Sequence, residues 1–116
     1  AEAVLMGTRF LTAQECPIHP RIRELLLQAD ETDTVMVDVT HGFPSRTIKN
    51  KTALDILELE KRGAPLKEIL ELRSGLKTSR AWREGDIDGG SFGCGQVIGL
   101  IHEILTVKEI VEETIT

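Results

Sequence analysis

The sequence has few of the features that assign a chain to a functional class directly. Its 116 residues include only two cysteines, Cys16 and Cys94, too few for a disulfide framework and not spaced for metal binding. No apolar run approaches the roughly 20 residues that a membrane-spanning helix needs. No basic segment followed by an apolar stretch marks a signal peptide. We therefore expect reduced thiols in a cytoplasmic protein that binds neither metal nor membrane.

Basic residues are also in the minority. There are 14 Lys and Arg against 19 Asp and Glu, which gives a net charge of −5. The basic residues alternate with glutamates at helical spacing, as in Glu58 and Arg62, which is typical of a solvated helix face. Because phosphate backbones are bound by clustered Lys and Arg, we expect no nucleic-acid partner. A hydrophobic content of 41% with 28% charged residues predicts a globular chain with a modest core.

Hydrophobic periodicity predicts a mixed α/β arrangement. Strands are predicted at residues 3–6, in the β-branched run 34–40 and, more weakly, at 45–49. Helices are predicted from Pro20 onward, at 52–62, at 65–73, around 81–82 up to Gly85, and at 107–115. Thr106 and Glu109 form the T-x-x-E capping box of the last helix. An apolar run so close to Ala1 indicates a chain cut in the middle of a fold.

The first candidate site is Met6-Gly7-Thr8-Arg9-Phe10. A strand that ends in Gly-Thr offers unobstructed backbone N–H groups beside a hydroxyl, which suits a phosphate when a helix N-terminus points at it. In (β/α)8 barrels, phosphates lie at the loops after strands 7 and 8. The alternative is an ordinary glycine turn with a surface threonine and arginine.

The second candidate is the glycine-rich stretch 85–99, with six glycines. Gly93 and Gly95 fit a dinucleotide-binding G-x-G-x-x-G pattern, but the third glycine falls at Gly99, so this interpretation fails. What remains is a glycine face at 95 and 99, one helical turn apart, that lets a helix approach either another backbone or a flat ligand closely.

No catalytic residue is predicted within the chain. His19 is expected near a helix start, His41 in a turn and His102 on a helix, and none has a companion at metal or triad spacing. Cys94 is expected to be a small packing residue rather than a nucleophile.

At Val4-Leu5-Met6-Gly7-Thr8-Arg9-Phe10-Leu11 the chain resembles the nitronate monooxygenase (2-nitropropane dioxygenase) family and its close relative, the FMN-dependent enoyl-acyl-carrier-protein reductase. In that family, an apolar strand ending in GTRF is the eighth barrel strand. The resemblance continues through Glu15-Cys16-Pro17, Arg46 to Asn50, Glu84-Gly85-Asp86 and Gly95-Gln96 to the last helix, and so covers nearly the whole chain.

The resemblance implies an α/β fold: the C-terminal part of an FMN-binding (β/α)8 TIM barrel with a small helix-rich extension. Residues 1–16 would form the last strand and phosphate loop, 17–90 the extension, and 91–116 helices that return to the barrel. The expected FMN contacts are, in chain order, Leu5, Met6, Gly7, Thr8, Gly95 and Gln96.

The implied parent activity is oxidation of an alkyl nitronate by FMN and dioxygen. Two alternatives stay open, enoyl-thioester reduction with a nicotinamide donor and a non-catalytic α/β binding module. The family's catalytic histidine and seven barrel strands would lie outside this chain, in a missing N-terminal barrel portion. The family often has a large residue before the Gly-Gln pair, where this chain has Gly93-Cys94, which would open the pocket. An unpaired strand at residues 3–6 would favour a homo-oligomer or a partner chain.

Overall fold

A computed structural model describes residues 2–115 of the chain. The elements are α1 (Thr8–Leu11), α2 (Pro20–Gln28), β1 (Thr34–Val37), β2 (Ser45–Ile48), α3 (Lys51–Lys61), α4 (Leu66–Leu72), α5 (Gly75–Glu84) and α6 (Val107–Ile115). Two 3-10 helices, Glu31–Asp33 and Gln96–Leu100, lie between them. This is the predicted α/β arrangement, with helices in the majority.

The two strands form an antiparallel hairpin, with Thr34 opposite Ile48 and Val37 opposite Ser45. Residues 92–94 run beside β2: the Ile48 amide donates to the Phe92 carbonyl at 2.9 Å, and the Cys94 amide donates to the Arg46 carbonyl at 3.1 Å. The glycine-rich segment is therefore held against the sheet by backbone hydrogen bonds.

Local signals in the sequence explain where the helices begin. Pro20 is the first residue of α2, and the His19 side chain caps it by accepting from the Arg21 amide at 3.1 Å. At α6 the predicted capping box forms, because the Glu109 amide donates to Thr106 Oγ1 at 3.1 Å and the Thr106 amide donates to Glu109 Oε2 at 3.4 Å. The predicted helices at 52–62, 65–73 and 107–115 are confirmed, and every end agrees within one residue.

Two apolar clusters form the core. The larger joins α2, β2, α5 and the segment 92–101 through Ile22, Leu26, Ala29, Ile48, Ala81, Phe92, Cys94, Ile98 and Ile101. The smaller packs β1 on α3 and α4 through Val37, Ala53, Ile56 and Ile69. The predicted apolar face of α2 thus packs in the larger cluster, whereas α6 buries Ile110 and leaves Val107, Val111 and Ile115 exposed.

The predicted strand at residues 3–6 is wrong for this chain, since the structure forms no strand there. A strand exists only when a neighbour completes its hydrogen bonds, and residues 2–115 provide none. The segment is extended over the surface instead, with Val4 66% and Leu5 101% exposed. Among the described residues no helix is long and apolar enough to cross a membrane.

Candidate functional site

Gly7 and Thr8 lie where the exposed N-terminal segment enters α1. Gly7 is the residue before the helix, and Thr8 is its first residue. Within residues 2–115 the amides of both residues donate to no other protein group. The first N–H groups of a helix have no partner inside it, so these two remain open to an acceptor from outside. Gly7 has φ −129°, and a Cβ built on it meets nothing within 4 Å.

The structure brings together Thr8 and Gly95, two of the residues predicted to bind a cofactor. The Gly95 amide donates to Thr8 Oγ1 at 2.9 Å, across 87 positions of sequence. Because the hydroxyl accepts this bond, its own hydrogen is left to donate, and within the described chain it has no acceptor. The Thr8 hydroxyl therefore joins the two candidate segments by a hydrogen bond.

The two glycines of the predicted glycine face have different roles. A Cβ on Gly99 would lie 2.9 Å from the backbone nitrogen of Glu31, so Gly99 permits close packing of the two 3-10 helices. A Cβ on Gly95 would meet only Thr8 Oγ1, at 3.4 Å. Both glycines lie on the second 3-10 helix or at its start and not on an α-helix, which corrects the expected geometry.

The other predicted contact residues lie around this point. Leu5 is fully exposed, Met6 is half-buried with its sulfur 3.6 Å from Thr114 Oγ1, and Gln96 is exposed at the start of the second 3-10 helix. Met6 lines a cleft of about 240 Å³ with Val97, Leu100 and His102, among others. Leu5 and Met6 also line a second cleft, of about 320 Å³, beside α6.

His102 was expected on a helix, but it does not lie on one. It lies in an irregular segment after the second 3-10 helix, because that helix ends at Leu100 and α6 begins only at Val107. It is exposed. In residues 2–115 no group of three His, Cys, Asp or Glu side chains could hold a metal ion.

Cys94 is a packing residue, as predicted. It is 4% exposed, belongs to the larger core cluster, and its burial raises the pKa of the thiol to about 11. Burial disfavours the charged thiolate, which is the nucleophilic form.

The structure also contains a polar cluster that the sequence does not indicate. The buried carboxylate of Asp38 accepts a hydrogen bond from Arg73 at 2.9 Å and lies 3.2 Å from His41 Nδ1.

The fold of the chain matches part of a solved structure. The chain superimposes on FabK from Thermotoga maritima with a TM-score of 0.87 and 39% sequence identity, which covers 99% of this chain and 36% of that one. A mutant of the same protein matches with a TM-score of 0.74 and 36% identity. The fold is thus of the α/β type present in one part of that larger protein.

The sequence comparisons define the family. The model of the nitronate monooxygenase family matches residues 1–116, and the chain belongs to that family of oxidoreductases. A "probable nitronate monooxygenase" of Bacillus subtilis is 26% identical over 113 residues, or 97% of this chain. A protein of the same name from Staphylococcus saprophyticus is 43% identical over 51 residues, or 44% of this chain.

The chain corresponds to only part of each relative. It spans 32% of the length of the Bacillus subtilis protein, 14% of the Staphylococcus saprophyticus protein and 36% of the FabK chain.

Proposed function

We propose that this chain supplies the phosphate-binding part of an FMN site in a larger nitronate monooxygenase. The observation that carries the proposal is the set of three donors at Gly7 and Thr8. Two backbone amides and one hydroxyl hydrogen lie within two consecutive residues, and the described chain leaves all three without an acceptor. Phosphate oxygens accept several hydrogen bonds at once and suit such a set.

The residues present fit the phosphate end of FMN. Space is open at Gly7, where a Cβ would meet no described residue within 4 Å, so the backbone can approach a ligand without a side chain between them. The amides of Gly7 and Thr8 would bind phosphate oxygens, and Thr8 Oγ1 would donate to a third. Gly95 and Gln96, held beside Thr8, would lie next to the same ligand, with Leu5 and Met6 on the side toward α6.

When bound, FMN supplies the redox chemistry by taking electrons from the substrate and passing them to dioxygen, while the protein holds and orients the reactants. This chain's contribution is to fix one end of the cofactor. Cys94 takes no chemical part, since its thiol stays protonated near neutral pH. The family's catalytic histidine would come from elsewhere in the larger protein.

We further propose that residues 3–6 become the last strand of a (β/α)8 barrel when the rest of the protein is present. Val4 and Leu5 expose apolar side chains to solvent, and among residues 2–115 their backbone has no hydrogen-bond partner. Neighbouring barrel strands would satisfy that backbone and cover those side chains. Residues 17–90 would then form the extension, and residues 91–116 would return to the barrel.

A second candidate function is reduction of an enoyl thioester with a nicotinamide donor. The structural match to FabK, at a TM-score of 0.87, supports the resemblance to the enoyl-acyl-carrier-protein reductase and so favours this reaction. The family model and the curated relatives favour nitronate oxidation. The two reactions would use the same flavin site with different substrates, so this chain's phosphate contacts suit both.

One experiment separates the candidates. The full-length protein would be purified, its bound flavin identified by mass spectrometry, and turnover followed with an alkyl nitronate and dioxygen, or with an enoyl thioester and a reduced nicotinamide. Oxygen uptake that depends on the nitronate supports the first proposal, and nicotinamide oxidation that depends on the thioester supports the second. A full-length protein that binds no flavin would contradict both and favour a non-catalytic module.

A further inference from the structure

The second 3-10 helix, Gln96–Leu100, is held in different ways at its two ends. At the far end Ile98 is fully buried in the larger core cluster, and Gly99 is packed against the backbone of Glu31. At the near end the Gly95 carbonyl accepts local bonds from Ile98 N at 3.2 Å and Cys94 Sγ at 3.5 Å. Among residues 2–115, the bond from the Gly95 amide to Thr8 Oγ1 is the one hydrogen bond that joins Gly95 to another element. A change at Thr8 therefore acts on the near end, where Gln96 lies exposed, and leaves the far end in place.

We infer that Thr8 is a positioning residue that couples occupancy of the phosphate site to the order of residues 95–97. This inference rests on the proposed function, because it takes the phosphate of FMN as the acceptor of the Thr8 hydroxyl hydrogen. A hydroxyl that accepts from one partner and donates to another is polarised by both, so each bond strengthens the other. A bound phosphate thereby tightens the bond between Thr8 and the Gly95 amide.

The consequence concerns the residues next to Gly95. Gln96 and Val97 follow it directly, and Val97 lines the cleft shared with Met6 and His102. When the Gly95 amide is bound to Thr8, Val97 is held in one position at this side of the cleft. With Gly95 released, residues 95–97 are free to move while Ile98 stays in the core. Filling the phosphate site thus prepares the neighbouring cleft for whatever part of the cofactor or substrate reaches it.

The test uses the full-length protein with two substitutions that differ by one hydroxyl. Thr8→Ser keeps the hydroxyl, and Thr8→Val keeps the shape of the side chain without it. Amide hydrogen exchange of residues 95–97 would be measured with and without FMN, together with the FMN dissociation constant from flavin fluorescence. Thr78→Val is the matched control, since the Thr78 hydroxyl also accepts from the backbone of the glycine-rich segment, at Ser91 and 3.3 Å.

FMN is expected to slow exchange at residues 95–97 in the wild type and in Thr8→Ser, and to slow it much less in Thr8→Val, where only direct contact with the ligand remains. The dissociation constant should rise about tenfold or more in Thr8→Val, the fold-change that corresponds to loss of a hydrogen bond to a charged group. Thr78→Val should keep both the affinity and the FMN-dependent protection.

FMN-dependent protection of residues 95–97 that is as strong in Thr8→Val as in the wild type overturns the inference and leaves the proposed function standing. Failure of the wild type to bind FMN contradicts the proposed function instead. In that case the comparison in the free protein decides. Faster exchange of the Gly95 amide in Thr8→Val than in Thr8→Ser supports positioning by Thr8, and equal exchange rates refute it.

Discussion

Arg73 donates a hydrogen bond to the fully buried carboxylate of Asp38 at 2.9 Å, and so joins the end of α4 to the turn of the β-hairpin. The other carboxylate oxygen lies 3.2 Å from His41 Nδ1. The two partners differ in exposure, because the Arg73 side chain is 23% exposed and that of Asp38 is 0% exposed. Removing one partner or the other should therefore have unequal effects on stability.

We predict that Arg73→Met destabilises the protein more than Asp38→Asn does. Arg73→Met leaves a buried carboxylate short of its main partner and should lower the free energy of unfolding by about 3 kcal/mol. Asp38→Asn still accepts from Arg73, whose charge is partly solvated, and Asn tolerates a positive φ, so the loss should be about 1 kcal/mol. Urea unfolding of the two variants measures the difference. Equal losses, or a greater loss in Asp38→Asn, would contradict this account of the pair.

Asp38 also shows where prediction from the sequence ends. The run 34–40 is rich in β-branched residues and predicts a strand, but β1 stops at Val37 because Asp38 adopts φ +60°. Contacts of the Asp38 side chain with Arg73, which is 35 positions away, help to stabilise that backbone conformation. Helix starts were predictable because their signals are local, as at Pro20 and Thr106. Conformations fixed by distant partners were not.

Burial of Cys94 predicts a pH dependence of stability. Its pKa is raised from 9.0 to about 11 in the folded protein. A folded-state pKa above the unfolded value gives stability that is full below about pH 9 and is lost as the pH rises to about 11, where the folded thiol also ionises. The loss should be about 2 kcal/mol. Urea unfolding at pH 8 and pH 10.5 measures it, and Cys94→Ala should show a smaller dependence on pH. A wild type and variant that lose stability equally would exclude Cys94 as the cause.

The same burial predicts selective alkylation. Iodoacetamide at pH 8 should label Cys16, which is half-buried, and spare Cys94 in the folded protein, because the thiolate is the reactive form and burial suppresses it. Peptide mass spectrometry locates the label. Similar labelling rates for both cysteines under native conditions, with no acceleration at Cys94 in urea, would show that the fold does not protect Cys94.

Two glycines of the same segment should respond differently to an added methyl group. Gly99→Ala places a Cβ 2.9 Å from the Glu31 backbone nitrogen, so the two 3-10 helices must move apart, at about 1–3 kcal/mol of stability. Gly93→Ala meets nothing within 4 Å and should change stability by less than about 0.5 kcal/mol. Thermal unfolding compares the two. A neutral Gly99→Ala would mean that the helices separate without loss.

The candidate site was predictable in its parts and not in its assembly. The motif around Gly7 and Thr8 and the pair Gly95-Gln96 were both identified from the residues and the family resemblance. The bond that joins them crosses 87 positions, and no periodicity or spacing carries that information. Because of this bond, Thr8→Val removes the acceptor of the Gly95 amide as well as a donor to the ligand. The change in FMN affinity in that variant therefore reflects both losses.

At Gly7 the effects of a substitution on folding and on FMN binding can be separated. Gly7→Val in the full-length protein should weaken FMN binding strongly, because the added side chain lies between the backbone amides and the phosphate. It should leave the fold of this chain intact, since a Cβ at Gly7 meets nothing within 4 Å. Gly75→Ala is the control, because Gly75 also has open space around it and begins α5 away from the candidate residues.

Flavin fluorescence titration of the wild type and both variants measures the affinity, and far-UV circular dichroism checks the fold. We expect Gly75→Ala to bind FMN like the wild type. The 116-residue chain by itself should hold FMN poorly, because one loop cannot offset the entropy lost on binding. A folded Gly7→Val variant with unchanged affinity would refute the phosphate assignment. Stoichiometric FMN on the isolated chain would instead show that its own residues form most of the site.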